Sequence, residues 1–328
     1  MIIKNGEPKL IIMNVINDLT DLHRPLKNPV LTIGNFDGVH RGHLALFNKV
    51  KERAQAIHGH SVVMTFDPHP IKVMKPGNGP RLITPTRQKL ELMAREGIDL
   101  ILCVPFTREF AAISAESFVR DILVNRLGIK EMVVGYDYSF GNKREGNIEL
   151  LRKMGETLGF SIHVVDPVLI NEKLVSSTSI RNLVKEGNLS DTKELLGRDY
   201  QVTGTVAKGA NRGGKLLGFP TANLQLLDEL IPRRGVYAVT VRIGRTTYFG
   251  VTNIGYNPTF GNDALSIETH VLDFSGDLLG QTIKINFLYR LRDEKTFGSV
   301  EELSDQIALD IQHAKGLFGI GNTARQIG

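Results

Sequence analysis

The sequence predicts an α/β domain on a parallel sheet, then an antiparallel β region, barrel or sandwich, and a closing C-terminal helix. From Val30 to about Val165, short apolar runs alternate with amphipathic stretches, the pattern of a parallel sheet covered by helices. Beyond Leu196 the pattern becomes β-branched alternation broken by glycine turns. A chain of 328 residues, 41% of them apolar, has room for two domains that each bury a core.

In the first domain the strand candidates are Val30 to Ile33, Ser61 to Phe66, Leu100 to Val104, Met132 to Gly135 and Ile162 to Val165. Leu44, Phe47, Val50, Ala54 and Ile57 fall at helical spacing between the first two. A second helix is expected with Thr84 as cap and Pro85 in its first turn, stopping at Gly97, and a third from Ser114 to Gly128 with Phe118, Ile122 and Leu123 inward. That makes five strands and four crossovers, with a further short strand at Leu10 to Val15. After the helical segment Thr178 to Leu196 come the runs YQVTGTV, GVYAVTVRI, TTYFGVTNI, SIETHVLDF and QTIKINFLY, with hairpins signalled at Gly244-Arg245 and Ser275-Gly276-Asp277. A helix over Val300 to Ala314 would close the barrel or cover an edge strand. The boundary falls near Gly197, giving domains 1–197 and 198–328.

Composition excludes several classes. The 33 glycines have no period and Pro is only 13, against collagen and low complexity. The longest apolar runs, such as Leu100 to Phe106, are too short to span a bilayer, so no membrane partner is expected. Glu7 and Lys9 interrupt the N-terminal stretch, which does not read as a secretory signal and favours a cytoplasmic protein. The single cysteine, Cys103, excludes an intramolecular disulfide and argues against structural zinc. The net charge of +5, from 40 basic and 35 acidic residues, suits anionic small substrates at least as well as nucleic acid.

Directly after the first strand stands Gly34-Asn35-Phe36-Asp37-Gly38-Val39-His40-Arg41-Gly42-His43. Ligands of open parallel sheets bind at the carboxyl ends of strands, and a helix N-terminus offers N–H groups to phosphate. His40 and His43 therefore fall where a polyphosphate would lie, and Gly42 leaves room for close approach. Two imidazoles there can stabilise charge developing on phosphate oxygens. These residues resemble the nucleotidyltransferase superfamily marked by His-x-Gly-His. Val175-Ser176-Ser177-Thr178-Ser179-Ile180-Arg181 is similar to the Ser-Ser-Thr-x-x-Arg motif of bacterial flavin adenylyltransferases, and Thr65-Phe66-Asp67-Pro68-His69-Pro70 and Gly135-Tyr136-Asp137-Tyr138-Ser139-Phe140-Gly141 resemble two further fragments of that family. The resemblance implies a Rossmann-like domain in which His40, His43 and Arg181 are catalytic. It likewise implies that Gly34, Phe36, Asp37, Gly42, Ser176, Ser177 and Thr178 bind ATP and that Asp137, Tyr138 and Phe140 bind flavin.

The second domain opens with a glycine loop in which Gly209 to Lys215 has Walker A spacing, but Leu216 stands where Ser or Thr must hold magnesium. A phosphate cradle of backbone N–H groups with Lys215 or Arg212 remains open. Thr221 and Asn223 are two apart, so on a strand their oxygens share one side. Gly218-Phe219-Pro220-Thr221-Ala222-Asn223 resembles the Pro-Thr-Ala-Asn motif of riboflavin kinases, with further matches at Arg234 to Tyr237, Gly250 to Gly255, Asn257 to Phe260, Ser266 to His270 and Leu291 to Phe297. That family is a β-barrel with a C-terminal helix. The resemblance implies Thr221 and Asn223 at Mg²⁺, Glu268 as catalytic base, Gly209, Gly214 and Lys215 at ATP, and Arg292 and Glu294 at flavin.

Together the resemblances run from Val30 to Phe297, in the order of prokaryotic bifunctional riboflavin kinase and FAD synthetase. They imply phosphorylation of riboflavin to FMN and adenylylation of FMN to FAD, each with ATP and Mg²⁺. The implied partners are riboflavin, FMN and ATP, with no nucleic acid, and a homo-oligomer is left open. One active module beside a binding-only one, or an RNA-binding protein on an adenylating fold, are the alternatives. The second lacks the interleaved aromatics and cations such barrels carry, since there is no Trp and only Phe249 adjoins Tyr248.

Overall fold

The computed structural model describes residues 15–22, 25–77, 79–208, 219–226, 229–256 and 265–320. Those up to Ser177 form one compact unit and those from Thr178 onward a second.

In the first unit the elements run β1 (Val15–Ile16), β2 (Val30–Ile33), α1 (Arg41–Ala56), β3 (Ser61–Asp67), α2 (Pro70–Met74), α3 (Thr86–Arg95), β4 (Leu100–Pro105), α4 (Arg108–Ala111), α5 (Ala115–Ser117), β5 (Glu131–Gly135), α6 (Ile148–Leu158) and β6 (Ser161–Val165). A small hairpin, β7 (Leu169–Ile170) and β8 (Lys173–Leu174), leads to α7 (Ser177–Glu186). The five expected strands are present within a residue of their expected ends. Only Val15 of the Leu10 to Val15 segment lies among the described residues. It begins β1, which pairs in parallel with β4 and raises the sheet to six strands in the order β1-β4-β3-β2-β5-β6.

That order places a topological switch between β2 and β5. The chain moves outward from β2 through β3 to β4, then returns to β5 on β2's other side, so the loops leaving β2 and β5 border one crevice. The sheet's two faces bury separate clusters, one around Leu31, Met64, Leu102 and Leu123, the other around Phe36, Phe47, Val63 and Met93. At the far end Glu131, which begins β5, takes a forked pair of bonds from Arg53 at 2.7 and 2.8 Å and a third from His163 at 2.8 Å. This clamps the last turn of α1 to β5 and β6, and the Arg53 bonds hold the Glu131 carboxyl below its ordinary pKa.

One helix start and one helix body depart from expectation. Thr84 does not cap α3; Pro85 occupies the cap with no side-chain bond, because the Thr84 amide and hydroxyl are taken by Asp37 and Gly38. The Ser114 helix forms with Ser114 capping Ser117 at 3.1 Å, but beyond α5 it continues as π-helical turns over Phe118–Arg126, ending at left-handed Gly128.

The second unit holds α7, α8 (Leu189–Leu196), six strands and a C-terminal helix. The strands are β9 (Tyr200–Ala207), β10 (Thr221–Gln225), β11 (Gly235–Ile243), β12 (Thr246–Tyr256), β13 (Leu265–Val271) and β14 (Thr282–Arg292). They close as an antiparallel barrel in the order β10-β13-β12-β11-β14-β9, so of barrel and sandwich the barrel is the one formed. Tyr200, Tyr237 and Phe287 fill it, with ring centroids 5.3 and 6.3 Å apart around Phe287. Gly244-Arg245 turns β11 into β12 as expected. Ser275-Gly276-Asp277 makes no hairpin, because β13 pairs with β10 and β12 while β14 pairs with β11 and β9. A closed barrel has no edge to cover. The C-terminal helix α9 (Val300–Leu317) instead packs Ala314 and Ile311 on Val236, Ala238 and Val251, with Phe318 stacked on Phe249 at 4.2 Å. Among the described residues no helix is long and apolar enough to cross a membrane.

Candidate active site

The loop leaving β2 is tight and strained. Phe36 and Val39 both carry positive φ, 49° and 39°, with Gly38 at 93° between them and Val39 N bonded to Phe36 O at 3.0 Å. Burial holds the strain in place, since Phe36 and Val39 are 3% and 2% exposed and pack with Phe47, Val63 and Met93. Gly34 has to be glycine: a Cβ there would lie 2.9 Å from the Phe36 ring. Asp37 is 3% exposed and accepts the amides of Ile83 and Thr84 at 3.1 and 3.0 Å, so its carboxylate brackets this loop to the one before α3. Ser177 Oγ donates to Asp37 O at 2.8 Å, joining the start of α7 to the same turn.

His40 is the N-cap of α1. Its Nδ1 accepts from His43 N at 3.4 Å, and His43 Nδ1 accepts from His40 N at 3.3 Å, a reciprocal capping box built from two imidazoles. The rings stack at 3.5 Å and 21°. An Nδ1 that accepts an amide hydrogen carries no proton, which assigns both rings as neutral with their proton on Nε2. Each is then a donor at Nε2, the atom that can stabilise negative charge on a phosphate oxygen beside the helix N-terminus. Gly42 packs between the His40 ring and Val175 O, 3.2 and 3.3 Å from where a Cβ would stand. Ser176 and Ser177 are half-buried, Thr178 is exposed, and Arg181 lies one turn further along α7, half-buried.

Of the expected flavin residues, Tyr138 stacks on Phe140 at 5.6 Å and 21°, while Asp137 is exposed. Phe140 is 9% exposed and packs on Phe118 at 5.9 Å, a core position. Burial pushes the Tyr138 hydroxyl pKa up. Sequence reasoning missed an aromatic wall at the carboxyl ends of β3 and β4: Phe66, Phe106 and Phe110 lie mutually 5.4 to 5.7 Å apart, and Phe110 reaches Phe118 at 6.0 Å. It also missed Lys89, whose ammonium is buried behind the β2 loop. The signal was present, because Lys89 precedes buried Met93 by four residues and so sits on the apolar stripe of α3.

On the barrel, strand register assembles a second constellation. Asn223 of β10 and Asn253 of β12 both stand opposite Glu268 of β13, and Thr221 stands opposite His270. Along β13 the burial alternates, with Ile267, Thr269 and Val271 buried and Ser266, Glu268 and His270 on the other face. Thr221 and Asn223 share that face by the same period of two. Burial raises the Glu268 carboxyl above its ordinary pKa. His270 Nδ1 bonds Pro220 O at 2.9 Å and fixes the entry to β10. Glu294 lies over Gly255, where any Cβ would collide with its carboxylate, and next to Asn253, a residue the sequence reasoning did not assign. Arg292 is engaged by Asp310 of α9 at 2.7 and 2.9 Å and lines an open cavity of about 490 Å³ together with Leu291, Gln306, Leu309 and His313. Gly209, Gly214 and Lys215 lie outside the described residues, as do Asn257 to Phe260.

The chain matches two family models, FAD synthetase over residues 23–179 and riboflavin kinase over 196–318. The bifunctional riboflavin kinase/FMN adenylyltransferase of Escherichia coli K12 is 38% identical over 314 residues, 95% of this chain and all of that protein. Its counterpart in Listeria monocytogenes is 38% identical over 90% of this chain and 97% of that one. A crystal structure described as a macrolide-efflux protein from Streptococcus pneumoniae superposes with a TM-score of 0.82 at 31% identity, over 92% of this chain and 98% of that one. The efflux description belongs to that protein; the curated relatives and both family models describe flavin nucleotide synthesis.

Proposed function

Because the chain belongs to the bifunctional riboflavin kinase/FMN adenylyltransferase family, and so makes FMN from riboflavin and FAD from FMN with ATP, we propose which residues carry each step. The single observation that supports the assignment most is the paired imidazole capping box at the switch-point crevice, two Nε2 donors fixed side by side at a helix N-terminus.

In our reading ATP lies over Gly34, Phe36, Gly42, Ser176, Ser177 and Thr178, and the His40 and His43 Nε2–H groups take up charge on the α-phosphate and the departing pyrophosphate as an FMN phosphate oxygen attacks. Arg181 forks onto the leaving phosphates. Asp37 acts through its bonds to Ile83 and Thr84, shaping the pocket rather than touching ATP. Asp137, Tyr138 and Phe140, with Phe106 and Phe110, border the flavin ring. On the barrel, Glu268 accepts the proton of the riboflavin primary hydroxyl as that oxygen attacks the γ-phosphorus of ATP and the bond to the bridging oxygen breaks, releasing ADP. Gly209, Gly214 and Lys215 cradle the phosphates, and Glu294 and Arg292 border the flavin.

Thr221 and Asn223 supply hard neutral oxygens on one face, a donor set suited to a Mg²⁺ that keeps waters and shares ATP phosphates, and among the described residues no cluster of three acidic, histidine or cysteine ligands exists to cage an ion alone. Bound there, Mg²⁺ would neutralise phosphate charge. We place the domains at 1–197 and 198–328, the substrates as small molecules without nucleic acid, and the enzyme in the cytoplasm. Incubation with riboflavin, ATP and Mg²⁺, separating flavins and assaying ADP and pyrophosphate individually, tests the assignment: with His43→Ala, FMN accumulates and pyrophosphate release falls by about 10²- to 10³-fold. Loss of both products in that variant overturns separate sites.

A further inference from the structure

Lys89 is 4% exposed, and its ammonium donates to Thr65 Oγ1 at 2.9 Å, Asn35 O at 3.1 Å and Phe66 O at 3.1 Å. All three partners are uncharged. Thr65 Oγ1 also donates to Asn35 O at 3.1 Å, so this carbonyl, in the loop leaving β2, is held from behind by two donors. A buried ammonium bonded only to neutral oxygens is costly, and burial lowers the Lys89 pKa. The carboxylates that act on it electrostatically are those of Asp37 and Asp67, but its hydrogen bonds go to neither, and the Cys103 thiol close by is kept protonated by burial. An apolar side chain of equal length would fill the space without the cost of a buried charge but would leave the Asn35 and Phe66 carbonyls without this donor, so what the ammonium adds is its grip on those oxygens.

The peptide after Asn35 is planar and trans, so a carbonyl drawn inward sends the N–H of Phe36 outward. Phe36 is also one of the strained residues of that loop, at φ 49°, a conformation that must be held by its surroundings. We propose that Lys89 is a positioning residue for adenylyl transfer: by drawing the Asn35 carbonyl inward it aims the Phe36 N–H at the phosphate being transferred, and its positive charge is answered when ATP binds. The inference rests on the assignment of the β2 loop, His40 and His43 to ATP. It extends that assignment to a group that never touches substrate.

Lys89→Met tests it, assayed as FAD and pyrophosphate formation from FMN and ATP in the full chain, with FMN formation from riboflavin measured alongside. The expected result is a fall in kcat of about 10- to 100-fold with KM for FMN little changed, the mark of a donor lost mainly in the transition state, and an unaltered kinase rate. Lys89→Arg, which retains a cation and N–H donors, recovers most of that loss. Thr65→Val leaves the ammonium in place and removes one of the two donors on Asn35, so it lowers the same kcat by a smaller factor, about 3- to 10-fold. A Lys89→Met protein that melts earlier yet keeps the wild-type kcat overturns the proposal, because Lys89 then only stabilises the fold. Should Lys89→Met not fold, an unchanged kcat in Thr65→Val overturns it equally. His43→Ala separates the two readings: if it makes FAD at the wild-type rate, the site assignment fails; if its FAD formation falls while the Lys89 and Thr65 variants keep full kcat, only the Lys89 inference fails.

Discussion

In the parallel-sheet unit the candidate residues are held by side chains bonded to loop backbone, whereas on the barrel they are aligned by strand register. Lys89, Thr84 and Ser177 each grip a carbonyl or amide of the loop leaving β2, Asp37 of that loop grips two amides before α3, and His40 and His43 grip each other's amides. Asn223, Glu268 and Asn253 need no such network, because pairing of β13 with β10 on one side and β12 on the other already brings the Cβ atoms of Asn223 and Asn253 each to about 5 Å from that of Glu268. The lesson concerns mutation. A site bracketed by polar bonds is lost through many residues, some far from substrate, while a site set by register is lost mainly through the residues that do the chemistry.

The sharpest way to break that comparison is to remove the chemistry on each side. Glu268→Ala takes away the proton acceptor and leaves the ladder intact, so FMN formation from riboflavin falls by about 10³-fold while FAD formation from supplied FMN continues. In the wild type the same group sets the pH profile. Burial raises its pKa, the ionised form is the active one, and the kinase rate therefore drops with falling pH at values above the ordinary glutamate pKa of 4.5. His43→Ala removes one donor and half of the capping box, lowering FAD formation by about 10²- to 10³-fold with the kinase rate unchanged. A flat acid limb in the kinase profile would remove Glu268 from its role.

The sequence made the strands and the chemistry-bearing motifs legible because both depend on local pattern. Apolar runs of strand length bounded by turns reappear almost residue for residue as β2 to β6, and His-x-Gly-His stands at a helix start because a helix cap and a phosphate site ask for the same free amides. Partners far along the chain were not legible. Thr84 reads as a cap until Asp37, 47 residues away, claims its amide. Ser275-Gly276-Asp277 reads as a hairpin until barrel closure gives β13 and β14 other neighbours. Asp37 and Arg292 were assigned to ligands on motif position, yet their buried or half-buried side chains bond protein groups. Phe106 and Phe110 carried no motif at all, only proximity in space.

A smaller effect sharpens the barrel side. Arg292 bonds Asp310, whose side chain is 8% exposed, and so ties the end of β14 to α9. Arg292→Met leaves that carboxylate with the Gln306 amide but without its cation, which predicts a loss on the order of 3 kcal/mol in stability of the barrel unit. If Arg292 also borders the flavin, KM for riboflavin rises beyond what the lost stability explains. Thermal melts set against riboflavin titrations at a temperature where both proteins are folded distinguish a strut from a ligand contact.

The smallest predicted effect is on stability alone. Glu229 is 2% exposed and its carboxylate accepts the Thr203 amide at 2.9 Å, the kind of long-range polar bracket that characterises the other unit. Burial pushes its pKa up to about 7 from an ordinary 4.5. A carboxyl with a raised folded pKa favours folding while protonated in both states, below the unfolded value. As pH climbs from about 4.5 to 7 the unfolded chain releases this proton and the folded one keeps it, so stability declines across that window. Glu229→Gln keeps an acceptor for the Thr203 amide and cannot ionise. It is therefore expected to gain on the order of 2 kcal/mol over wild type at pH 8 and little at pH 4, read as the difference in melting temperature at the two values. Equal melting curves at pH 8 would mean that the Glu229 charge is accommodated, and that the barrel tolerates a buried polar bracket no better and no worse than the sheet unit does.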